Sequence, residues 1–187
     1  MSRSSTLKRL ALTIGLVTVA ATPTAATTWS VDQGASSVTF VAQQNGSPLK
    51  GTFQDWSAEI TLDPNALDEA EINATVRPGS AKTGKPQVDQ TLPGAAWFAT
   101  SSHPEATFTS SEIVSTGEIS YEARGTLTIK GKSEPFVLPF TLTVDGDTAR
   151  AKASVSLARL IFGVGTDVSP PTVADPVTVD LEITATR

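Results

Sequence analysis

Apolar and polar residues alternate with period two along most of this chain, and that pattern limits the fold more than any other feature. Val38, Phe40 and Ala42 alternate with Thr39 and Val41. Trp56, Ala58, Ile60 and Leu62 form a second run, and Ala70, Ile72, Ala74 and Val76 a third. A fourth is expected around Ala106–Ile113. Four more follow at 119–130, 135–144, 149–157 and 177–184. Successive side chains on a strand point to opposite faces, so each run predicts a strand with one wet and one buried face. No 3.6-residue period is sustained anywhere. The only helical turns expected are in "NALDEA" (65–70), with Asn65 as its N-cap, and in "DQTLPGAAWFAT" (89–100). "SLARLIFG" (156–163) reads either way.

Eight antiparallel strands leave a sandwich or a closed barrel. Turn chemistry separates the runs: "QNGSP" after the first, Asp63-Pro64-Asn65 after the second, and Asp145-Gly146-Asp147 between the sixth and seventh. In "LTIKGKSEPFVLPFTLTV" (127–144) the break is placed at Gly131–Pro135, and Phe136, Leu138, Phe140, Leu142 and Val144 then share one face. Short connections over 119–157 favour a meander, which closes into an up-and-down barrel. Pro139 sits mid-strand on the outward face, where it has no N–H to give a ladder, so an interruption is expected beside it.

The N-terminus reads as a secretory leader. Arg3, Lys8 and Arg9 precede an apolar run from Leu10 to Ala21, and small residues follow at Thr24 and Ala26. The run is short of the roughly 20 residues a membrane span needs. Cleavage after Ala26 leaves residues 27–187 as one domain. The leader takes three of 14 cationic side chains and none of 19 carboxylates, leaving a net charge of −8. That balance argues against nucleic acid and against docking on anionic lipid. The sequence has no cysteine, so the fold needs no disulfide and carries no cysteine-linked lipid. Export points to the periplasm, or to secretion where no outer membrane exists.

Catalytic and metal-binding arrangements find no support. His103, in "TSSHPEATF", is the single histidine, too few for a zinc site, and as the one candidate base of a nucleophile–base pair it reads as a loop histidine before a strand. There is no G-x-S-x-G elbow and no phosphate-cradling glycine loop before a helix. No enzyme activity and no cofactor are therefore expected.

Residue size on the inward face is more informative. Phe40, Trp56, Phe136 and Phe140 share it with Ala42, Ala58, Ala70, Ala74, Ala123, Gly125, Ala149, Ala151 and Ala153. An eight-stranded barrel is just wide enough to be filled by side chains or to hold one small ligand. Residue size alone leaves both a packed core and an apolar cavity open.

Five segments, in order, resemble the YceI-like family of polyisoprenoid-binding-like barrels. They are "TWSVDQGASSVTFV" (28–41), "LKGTFQDWSAEITLDP" (49–64), "VDQTLPGAAWFATSSHPEATFTSSEI" (88–113), "YEARGTLTIKGKSEPFVLPF" (121–140) and "LARLIFGVG" (157–165). The resemblance implies an all-β, antiparallel, eight-stranded lipocalin-like barrel with one or two short helical turns. It also implies an exported protein that holds an isoprenoid lipid, a quinone or a similar amphiphile. The "QQNG" and "AAWF" segments resemble a subgroup associated with b-type membrane cytochromes, which implies such a cytochrome as partner. Monomer and dimer both stay open. Many members carry a histidine in the first hairpin, where this chain has "VAQQNGSP".

The expected cavity wall comprises Phe40, Trp56, Phe108, Leu127 and Ile129, then Phe136, Leu138 and Phe140. Phe53, Trp97, Phe98 and Phe162 complete it from the segments between. Arg159 matches the family's "R-x-x-F-G-V-G" and lies in an apolar stretch, where an unpaired charge is costly. Asp89 or Asp55 is its expected partner. Two roles stay open for Arg159 and Asp89, a structural clamp and a head-group contact at the barrel mouth.

Overall fold

A computed structural model describes residues 27–187. The leader expected at 1–26 lies outside the described residues. Eleven strands form one antiparallel sheet: β1 (Thr28–Val31), β2 (Ser37–Gln44), β3 (Ser47–Phe53), β4 (Trp56–Thr61), β5 (Glu71–Val76), β6 (Ala81–Lys82), β7 (Ala106–Ser115), β8 (Ser120–Ile129), β9 (Lys132–Asp145), β10 (Thr148–Ala158) and β11 (Pro176–Thr186). They make eight passes, because three passes are broken in two. A 3-10 turn at Gln33–Ala35 splits β1 from β2, and both segments pair with β11. Gln54-Asp55 splits β3 from β4, and residues 77–80 split β5 from β6. β4 pairs with β5 while β3 pairs with β6, so the split passes stay side by side. The ring closes where Ser30 and Val31 meet Thr186 and Ala185. The fold is thus the expected eight-stranded barrel in meander order. Sequence periodicity registers only one half of each broken pass.

Local chemistry explains most of the boundaries. The hairpin turns at Asn45-Gly46 and Lys130-Gly131 hold both central residues at positive φ, 50° and 76° in the first, 50° and 73° in the second. That is the geometry of a two-residue type I′ turn, whose twist matches the flanking strands. The turn expected at Gly131–Pro135 therefore lies earlier, and β9 already begins at Lys132. The single α-helix among the described residues, α1 (Pro86–Thr91), starts three residues before the stretch expected to hold it, with Pro86 at its first turn. The 3-10 turn Leu67–Glu69 is not capped by Asn65. Asn65 instead donates its backbone and side-chain N–H to Asp63 Oδ1.

Two apolar clusters occupy the barrel. The lower one, beside β1 and the end of β11, packs Trp29, Leu62, Ile113, Tyr121, Ala123, Leu142 and Ala185 together with Phe108 and Phe140. Trp29 Nε1 donates to Leu62 O at 2.8 Å, and the Arg187 guanidinium lies 5.3 Å over the indole, so both side chains lie across the floor. The upper cluster joins Phe40, Ala81 and Leu92 to Phe53, Val88, Trp97 and Phe98. Above it, α1 and the segment 159–175 fold over the barrel end. Gly165 N–H donates to Ala96 O, and Lys130 Nζ donates to Gly163 O (2.6 Å) and Ala96 O (3.2 Å), which ties both covering segments to the β8–β9 turn.

One wall is incomplete. β8 and β9 pair without a break from Ser120↔Thr141 to Ile129↔Lys132, whereas β9 and β10 pair only from Asp145↔Thr148 to Thr141↔Lys152. The closing pair of a two-residue hairpin exchanges both of its bonds, so Asp145 and every second residue before it aim their N–H at β10. Pro135 and Pro139 fall in that set. Neither can donate, and the ladder stops two residues short of Pro139.

Candidate functional site

Between the two clusters lies a cavity of about 540 Å³. Its wall comes from the inward positions of the strands. β11 contributes Val177, Val179, Leu181 and Ile183 in strict alternation, and β10 contributes Ala149, Ala151 and Ala153. The alanines are why space remains: in an eight-stranded barrel, large residues at those positions would close it. Ala42, Ala58 and Ala74 border it too, whereas Ala123 is fully buried in the lower cluster and Ala70 packs against that cluster.

Of the twelve side chains expected to form the wall, eleven border the cavity: Phe40, Phe53, Trp56, Trp97, Phe98, Phe108, Leu127, Ile129, Leu138, Phe140 and Phe162. Phe136 does not. Its ring packs edge-on against Phe108 at 6.1 Å, crossing the intervening β8 at Gly125, its partner in register. A Cβ on Gly125 would come 2.1 Å from Thr109 O, so nothing larger than glycine fits there, and the bare backbone lets Phe136 reach its neighbour. Phe136 therefore packs inside the barrel against Phe108, beside the cavity and not on its wall.

The aromatic rings hold one another. Phe40 and Phe53 lie 5.1 Å apart, and Phe53 meets Phe98 edge-on at 6.3 Å. Tyr121 stacks on Phe140 at 5.5 Å. Phe162, 1% exposed, is the most deeply buried large side chain and seals the covered end. Burying a ring of that size contributes about 1.5–3 kcal/mol.

Arg159 is 5% exposed and has no carboxylate partner among the described residues. Its guanidinium instead donates to five backbone carbonyls: Nε to Ala174 O, Nη1 to Val164 O and Gly165 O, and Nη2 to Val168 O and Val173 O. These bonds, 2.6–3.1 Å long, engage every nitrogen of the group. The cation also lies 5.9 Å over the Trp97 ring. The expected pairing with Asp89 or Asp55 is thus corrected: a coil of carbonyls, which no periodicity announces, meets the guanidinium. Asp55 pairs with Arg77 at 2.7 Å on the surface. Asp89 accepts from the Thr83 hydroxyl (2.7 Å) and backbone N–H (2.8 Å). Those bonds, aided by Lys82, hold its carboxyl below the usual range. Asp89 fastens the approach to α1 and does not border the cavity. Arg159 borders it, but its donors are already spent on the segment 164–174.

Polar groups at the covered end come from elsewhere. Gln44 at the tip of β2, and Gln87 and Thr91 on α1, border the cavity. Sequence reading missed them because two lie on a helix that period-two logic does not place. His103 donates its backbone N–H to Ala99 O and packs its ring over Gly131, away from the cavity wall. Among the described residues, no group of three histidine, cysteine or acidic side chains is placed to hold a metal.

A family model described as the YceI-like domain matches residues 29–185. The chain belongs to the YceI-like family. Among its relatives, this YceI-like chain is 30% identical over 128 residues to a UPF0312 protein of Pectobacterium carotovorum, covering 65% of this chain and 66% of that one. It is 30% identical over 140 residues to Protein YceI of Escherichia coli, covering 71% and 73%. The matched stretch spans just under two thirds of the Pectobacterium protein and half of a UPF0312 protein of Photorhabdus laumondii. Among solved structures, Burkholderia cenocepacia BcnA superposes with a TM-score of 0.81 at 32% identity, covering 84% of this YceI-like chain and all of BcnA. A polyisoprenoid binding domain from Saccharophagus degradans shares the fold, with a TM-score of 0.68 at 15% identity over 84% of this chain and 97% of that one.

Proposed function

We propose that this YceI-like protein binds an isoprenoid lipid, a quinone or a similar amphiphile, holding the apolar chain in the barrel. The cavity carries this reading: about 540 Å³ of space walled by aliphatic and aromatic side chains, within the size range of small-molecule sites. A neighbour in fold described as a polyisoprenoid binding domain adds support. Burying about 300 Å² of ligand chain contributes roughly 7 kcal/mol before the costs of ordering it. Affinity on that scale needs few polar contacts, which suits a wall so poor in them. Gln44, Gln87 and Thr91 offer a head group both donors and acceptors at the covered end. Arg159, with its nitrogens engaged, serves as the clamp of that end. The protein acts as a carrier or a sequestering vessel beyond the cytoplasmic membrane, a location supported by the leader-like residues 1–26.

The test is native mass spectrometry of protein purified from its own compartment, followed by organic extraction. The expected result is an added mass that extracts as an isoprenoid or quinone. A protein that stays ligand-free and shows no spectral change on adding ubiquinone or a polyprenol would overturn the reading.

A further inference from the structure

We propose that the ligand's chain passes into the barrel sideways, through the gap between β9 and β10. The proposal rests on the binding function argued above. Over residues 132–140, β9 is paired only with β8, and over 153–158, β10 is paired only with β11. Trp29, Leu62 and Arg187 lie across the floor, and α1 and the Arg159-bound segment lie over the other end. The gap is a break in backbone pairing that lies against the cavity wall, nine residues long on β9. Leu138 and Phe140 border the cavity from one side of it, Ala153 and Leu157 from the other.

The sequence keeps this gap from zipping. Extending the register of Thr141↔Lys152 would set Pro139 against Ser154, Val137 against Ser156 and Pro135 against Ala158. Two of these three β9 positions are prolines whose missing N–H faces β10, so the ladder loses donors where it would have to close. On the β8 side the same prolines cost nothing, because there the even-numbered residues donate, as Leu142 N–H does to Ile119 O. Val137 stands 47% exposed on the lip between the two prolines, where it can guide an apolar chain.

Cross-linking tests the route. The chain has no cysteine, so V137C with S156C supplies the only two thiols. A short methanethiosulfonate cross-linker joins them and reductant releases it. Loading is followed by stopped-flow quenching of tryptophan fluorescence with a short-chain ubiquinone, since Trp56 and Trp97 border the cavity. The linked protein should load and unload about tenfold more slowly, with unchanged final quenching, and reductant should restore the original rate. Equal rates before and after reduction would overturn the lateral route and leave the binding function standing. Absence of quenching in linked, reduced and unsubstituted protein alike would overturn both.

Discussion

Phe40 lies flat across Gly51, its partner in register on β3. A Cβ on Gly51 would sit 2.3 Å from Phe40 Cζ and under 3 Å from both neighbouring ring carbons. The ring occupies the place of the missing side chain and so keeps out of the cavity centre. Gly51→Ala should push Phe40 inward. The expected cost is about 1–3 kcal/mol by urea denaturation, with weaker ubiquinone binding than the stability loss alone would bring.

The two alanines Ala153 and Ala123 should respond oppositely to enlargement. Ala153 borders the cavity, so Ala153→Phe has room; it should change stability by under about 1.5 kcal/mol while reducing ligand uptake. Ala123 has no exposed surface, and Ala123→Phe should cost upward of about 3 kcal/mol or prevent folding. Thermal melts and ligand titration of the two variants give the comparison.

Arg159→Leu removes the donors of five carbonyls at once. A loss of about 3–5 kcal/mol is expected, since buried acceptors are left without partners. Arg159→Lys keeps the charge but reaches fewer carbonyls and should recover only part of it. Hydrogen exchange read by mass spectrometry should show faster exchange at 160–175 in both, with little change in β7 and β8.

Asp89 gives stability a dependence on acid. Its folded carboxyl is held below the ordinary value by the Thr83 bonds, so folding favours the ionised form. That contribution is complete above the unfolded value, about pH 4, and is lost as pH falls through the lower folded value. Asp89→Asn should flatten this part of the profile. Urea midpoints at about pH 3 and about pH 6 give the check: wild type should lose more than the variant.

Replacing Pro135 and Pro139 together by Thr restores two N–H groups facing β10. Hydrogen exchange at Ser154–Ala158 should then slow, as the ladder extends past Thr141↔Lys152. Exchange unchanged from wild type would mean that strand splay, and not missing donors, holds the gap open.

Much of this was legible because a strand shows its two faces directly in sequence. The wall residues of β2, β4 and β7–β11 follow from alternation and side-chain size. Phe136 broke the rule because alternation gives a face and no depth: it faces inward, but a glycine on β8 draws it toward Phe108. The strands β1, β3 and β6 escaped because bends at 33–35, 54–55 and 77–80 interrupt the period. Arg159's partners were illegible for a different reason. Acidic residues can be searched for in a sequence, while backbone carbonyls belong to every residue and become a site only once the segment 164–174 has curled.

The ladder that joins Ser30 and Val31 to Thr186 and Ala185 has a bearing on how the protein is made. It unites the first and last strands, so it carries nearly the largest loop-closure cost the chain can incur. That edge of β1 has no partner until β11 has been made. Ring closure therefore waits for β11, and any piece of the chain that lacks β11 leaves the barrel open along β1 and β2.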